Sequence, residues 1–126
     1  METATAELLQ LTAMPDISIA LGGEKPLTET DHVRLDSFMA ASMRGREFSW
    51  LQHKAGTIDE SQWATDVAVL SVYMDSFLIR QWWKTLGRHY SGPGFVEFVD
   101  GLVDEIEPTN ELWKMATNWS EIEVPT

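Results

Sequence analysis

The sequence predicts an all-α fold, an irregular and mainly antiparallel bundle of five to seven helices forming one domain over residues 1–126. Three observations lead there. Apolar residues recur at three- and four-residue spacing almost throughout, while strand-like alternation is scarce. Clusters of Gly, Pro and capping residues cut the chain into segments of helical length. A hydrophobic fraction of 44%, with six Trp, five Phe and six Met, supplies a core large enough to fold without disulfides or metal.

The elements follow in order. Thr3 or Thr5 caps a first helix ending near Met14, with Leu8, Leu9 and Leu11 as its apolar residues. Pro15 opens a short second helix, PDISIAL, which Gly22 and Gly23 stop. Thr28 caps a long helix over about residues 29–54, with Asp31 in its first turn and Leu35, Phe38, Met39 and Ser42 on one side. Gly45 costs this helix about 1 kcal/mol relative to Ala, and a close helix crossing would explain it. Gly56 ends the helix.

Asp59 caps the next helix, Gln62 completes a capping-box pattern, and Ile58 with Trp63 is spaced as a hydrophobic staple. Trp63, Val67, Leu70 and Met74 form its inward stripe. Asp75-Ser76 provides a fresh cap and hence a break. The following segment, FLIRQWWKTLGRHY, turns Ile79, Trp82, Trp83 and Leu86 inward. Ser91 caps a helix from Pro93 to Ile106 with Phe95, Val99, Leu102, Val103 and Ile106 on one face and Glu97, Asp100, Asp104 and Glu107 on the other. Residues 3–106 make the core of the domain. The acidic segment 107–126 forms a last helix on Leu112, Met115, Ala116 and Trp119 before fraying at EVPT.

The net charge of −11 narrows the choice of partners. Acids concentrate at the two ends, while residues 32–95 carry six acids against seven bases. Such a surface repels phosphate backbones and anionic membranes, so direct nucleic-acid binding is not expected. An acidic mimic of nucleic acid would need both ends on one continuous surface. Cysteine is absent, which removes thiolate chemistry and is compatible with a reducing, cytoplasmic setting. No apolar window is long enough for a membrane span, and METATAELLQ lacks the form of a signal peptide.

No motif with catalytic specificity occurs. The four carboxylates from Glu97 to Glu107 share a helix face, but calcium sites wrap a loop around the ion, and a solvated face explains these acids. His32, His53 and His89 lack metal-ligand spacing. His32 with Asp36 is placed as a surface pair, and His53 suits the negative end of its helix. Serine has no nucleophile-elbow context, and LGGEKP lacks the phosphate-loop pattern. No cofactor or metal is expected. The surplus of Trp is the more informative feature. Trp82 and Trp83 point about 100° apart, so burying both requires neighbours on two sides. Trp113 and Trp119 are expected to be exposed or to dock a partner chain.

The stretch Glu47-FSWLQHKAGTIDESQW resembles a pattern in a bacterial family of small uncharacterised helical proteins, which often carry an N-terminal membrane helix before the helical domain. Glu47, Trp50, Leu51, Gln52, His53, Lys54, Gly56, Thr57, Ile58, Asp59, Glu60 and Trp63 carry the resemblance. IRQWW and GFVEFVDGL extend it, to cover residues 5–103. Leu51 replaces an aromatic residue of the pattern, and Thr57 an apolar one. The resemblance implies a helical fold and allows a longer form anchored to a membrane; it implies no activity.

The first functional expectation is therefore a non-enzymatic protein-interaction or sensory module, acting on a protein partner or by self-association, with Trp82, Trp83 and Trp113 as contact candidates. The second is a small-ligand binder or enzyme with a site between helices near Glu47, Trp50, Gln52 and His53, which follow one another at helical spacing.

Overall fold

The computed structural model describes residues 26–118, and these fold as five α-helices and a 3-10 turn with no strand among them. Helix α1 (Glu29–Lys54) starts where the sequence places it: the Thr28 hydroxyl accepts the Asp31 N–H at 3.2 Å, satisfying one orphan donor of the first turn. It ends at Gly56, whose φ of +74° is the left-handed conformation that favours glycine. Leu35, Phe38, Met39 and Met43 are buried along its inner side, and so are the polar Ser42 and Arg46. The two helices expected before Pro26 lie outside the described residues.

Helix α2 (Glu60–Met74) returns alongside α1. Ser42 bonds to Tyr73, Arg46 to Asp66, and His53 stacks on Trp63. One number rises as the other falls, which marks an antiparallel pair. The Arg46–Asp66 ion pair, at 2.6 Å, is buried in the α1–α2 interface. Gly45 has no role in a close crossing: a Cβ there would meet nothing within 4 Å, so that expectation is corrected.

The Asp75-Ser76 break is present, and the Ser76 hydroxyl caps helix α3 (Phe77–Thr85) by accepting the Ile79 N–H. The expected continuation to Tyr90 is not helical throughout. At Leu86 the backbone leaves the α region, and Gly87–Tyr90 form a 3-10 turn. Gly87 is a weak helix residue, and it lies against both indoles of the preceding turn, where a Cβ would fall 2.6 Å from Trp82 and 2.7 Å from Trp83. Leu86 turns outward, at 43% exposure, instead of entering the core.

Helix α4 (Pro93–Glu105) has Gly92 as its N-cap rather than Ser91, with Pro93 in the first turn. Phe95, Val99 and Val103 are buried, with Leu102 and Ile106 half-buried beside them. Helix α5 (Glu111–Asn118) reverses the expectation for the last segment. Trp113 is only 4% exposed, stacks on Tyr73 at 6.3 Å and donates its indole N–H to the Val72 carbonyl. Leu112 and Met115 are the exposed residues. Trp119 and the Ala116 side chain lie outside the described set.

A polar clasp joins the α2–α3 corner to the α4–α5 corner. Arg80 is buried and donates Nε to the Met74 carbonyl at 2.5 Å, Nη1 to the Val103 carbonyl at 2.8 Å and Nη2 to the Ile106 carbonyl. It thus ties down the carboxyl ends of α2 and α4, where carbonyls lack helical partners. Asp75 accepts from the Thr109 hydroxyl and N–H and from the Leu112 N–H, capping α5 from another element. Asn110, held at φ 60°, returns the favour by accepting the Phe77 N–H at the start of α3. Desolvation lowers the Arg80 pKa, opposed by the nearby charges of Glu107, Asp75 and Asp104.

Two outcomes follow for stability. Arg80→Met strands three carbonyls and is expected to cost about 3 kcal/mol or more in urea unfolding. Gly45→Ala meets open space in a helix interior and is expected to stabilise by up to about 1 kcal/mol, whereas Gly87→Ala, which forces two buried indoles to move, is expected to destabilise.

Candidate interaction groove

The residues singled out near the end of α1 occupy distinct positions. Glu47 is half-buried, and its carboxylate accepts the Gly92 N–H at 2.8 Å, which holds the start of α4 against α1. Gln52 contributes its backbone carbonyl, which accepts from the N–H and hydroxyl of Thr57. His53 faces α2: its ring stacks on Trp63 at 4.9 Å, and Nε2 meets the Glu60 carboxylate at 2.9 Å. The neighbouring Asp59 accepts from the Gln62 N–H and the Ser61 hydroxyl, which hold its pKa below the ordinary carboxylate value, the Gln62 bond having the larger effect. Glu47 and His53 therefore fasten two different neighbours, and these side chains do not converge on one substrate-sized site.

Trp82 and Trp83 are both buried, as the two-sided packing of α3 requires. Each indole N–H finds a carboxylate at 2.9 Å, Trp82 on Asp36 and Trp83 on Asp100. Asp36 also accepts from Tyr90 rather than serving His32 as a dedicated partner, and Asp100 also holds Arg88. Desolvation, together with the charge of Asp36 and the bond to it, raises the Tyr90 pKa. The acidic face of α4 is thus not purely solvated, since Asp100 anchors α3 and the 3-10 turn. With Trp113 also buried, none of these three Trp residues offers the exposed contact surface expected of it.

Trp50 differs from them. It is half-buried, tilted against Phe95 at 5.9 Å and Phe98 at 6.5 Å, with the Lys54 ammonium 4.9 Å from its ring centroid. It forms one wall of an open groove of about 520 Å³ between the end of α1 and α4. Lys54 lines the groove on the α1 side. On the α4 side the lining is Gly94, Glu97, Phe98, Gly101, Leu102 and Glu105. These residues repeat at three- and four-residue steps and so share one helix face. The lining mixes the apolar side chains of Trp50, Phe98 and Leu102 with two carboxylates and one ammonium.

The two glycines shape the groove differently. Gly94 lets α4 approach Trp50, because a Cβ there would lie 2.8 Å from the indole. Gly101 faces open space and leaves the groove unfilled. The signal for this surface was present in the sequence as the Gly94-Phe98-Gly101-Glu105 stripe. It escaped notice because assigning α4 an apolar face and an acidic face leaves out the mixed face between them.

Among the described residues, no three His, Asp or Glu side chains gather as for a metal ion, and no helix is long and apolar enough to cross a membrane. No protein-family model matches the chain, and comparison with curated proteins and solved structures found no significant relative.

The glycine pair gives a direct check on this geometry. Gly101→Ala is expected to raise stability by about 0.5–1 kcal/mol, as an unopposed gain in helix propensity. Gly94→Ala, close to the helix start and against an indole, is expected to lower stability and to shift the Trp50 indole N–H resonance.

Proposed function

We propose that this domain is a non-enzymatic protein-interaction module whose docking surface is the groove between α1 and α4. One observation carries the reading: Trp50, Phe98 and Leu102 line an open groove of about 520 Å³ together with charged side chains. An open surface of this kind, with apolar side chains beside charges, is the usual form of a protein contact site. The groups first considered for catalysis support the reading too, because Glu47 and His53 are committed to holding neighbouring elements. A formal charge of −11 opposes self-association and favours a different protein as partner.

The test is site-specific photo-crosslinking in the cells of origin, with a photoreactive phenylalanine at position 101 and a control at Ala68, exposed on α2. The expected result is a discrete heteromeric adduct from position 101 only, with the purified protein sedimenting as a monomer. Equal labelling from both positions, or none from either, would refute the reading.

A further inference from the structure

Building on the interaction-module reading, we infer that the partner segment is a cationic amphipathic helix, and that Lys54 occupies its cation seat in the free protein. The argument starts from charge. Glu97 and Glu105 line the groove, and Lys54 is the only basic residue among the lining side chains. Asp104 and Glu107 are exposed acids at the carboxyl end of α4, where their charges act on the buried Arg80, and Arg88 is bonded to Asp100.

The backbone adds to this field at the end of α1: Lys54 is its last residue and lines the groove, and the partial negative charge of a helix carboxyl end favours a cation there.

The Trp50 ring supplies the third element. A Trp face beside carboxylates is a favoured seat for an ammonium group, and Lys54 sits over that face now. Lys54 is exposed, so its hold on the ring is weak and a partner lysine can displace it. Trp50, Phe98 and Leu102 meet the apolar side of such a helix, while its lysines face Glu97 and Glu105. An anionic helix would meet carboxylates and a negative helix end, and a purely apolar one would leave the carboxylates without partners.

The experiment titrates the full chain, followed by amide and indole NMR, with a sixteen-residue amphipathic peptide of Leu and Lys and with its Leu/Glu counterpart. Tetramethylammonium serves as a small-cation arm. The Leu/Lys peptide is expected to shift the Trp50 indole, Gly94 and Gly101 signals, with an affinity that falls as salt rises. Lys54→Met is expected to tighten that binding about 2–5-fold by vacating the seat. Glu97→Gln with Glu105→Gln is expected to weaken it several-fold. Equal binding of the Leu/Glu peptide, shifts confined to other surfaces, or tighter binding of tetramethylammonium than of the peptide would overturn the inference. So would a Lys54→Met variant that binds no better than the parent. If position 101 still yields its heteromeric adduct while the Leu/Lys peptide fails to bind, the cationic-helix inference falls and the interaction reading stands. If both fail, both fall.

Discussion

The constraint on which the rest of the structure depends is the pairing of two chain reversals through Arg80, Asp75 and Asn110. A small helical domain has many helix ends, and each buried end carries backbone groups that need partners. Here two corners far apart in sequence satisfy each other. Arg80 takes carbonyls from α2, α4 and the residue after α4, while Asp75 and Asn110 exchange caps between α5 and α3. Because breaking any one link leaves a polar group unsatisfied in a poorly solvated place, the four helices meeting there are positioned as a set.

That set fixes the groove by leaving little freedom elsewhere. With the carboxyl end of α4 held by Arg80, its amino end is held by Glu47 from α1 through the Gly92 N–H. Between these two anchors, Phe95 and Val99 fill the core, and Trp83 reaches across to Asp100. The remaining face of α4, from Gly94 to Glu105, is presented beside Trp50 with no other described element lining it. Gly94 admits the Trp50 indole and Gly101 leaves space unfilled. The groove is thus a consequence of anchoring α4 at both ends while omitting a side chain at Gly101.

Much of the fold was legible in the sequence because local capping chemistry and apolar spacing agree. Thr28, Asp59 and Ser76 each cap the helix that follows them, and the buried stripes of α1 and α4 follow their spacing. The less legible parts depend on long-range contacts. At Gly87, just past the break at Leu86, the chain lies against two indoles, a close approach that local spacing does not encode. Trp113 was expected to be exposed or to dock a partner chain, whereas a partner 41 residues earlier in the chain, the Val72 carbonyl, draws it inward. For the site, the stretch around Trp50 was identified, but Glu47 and His53 serve packing. The opposing wall on α4 was hidden within what looked like a two-faced helix.

The central claim is that the two corners open as one unit, and native-state hydrogen exchange tests it most directly. The amides of Phe77, Thr109 and Leu112 each bond to a side chain of the opposite corner. They are predicted to share a single opening free energy, matched by the Ile106 amide at the end of α4. Rapid exchange at Thr109 and Leu112 while Phe77 and Ile106 remain protected would contradict it, because α5 would then be detaching without disturbing the corner said to hold it.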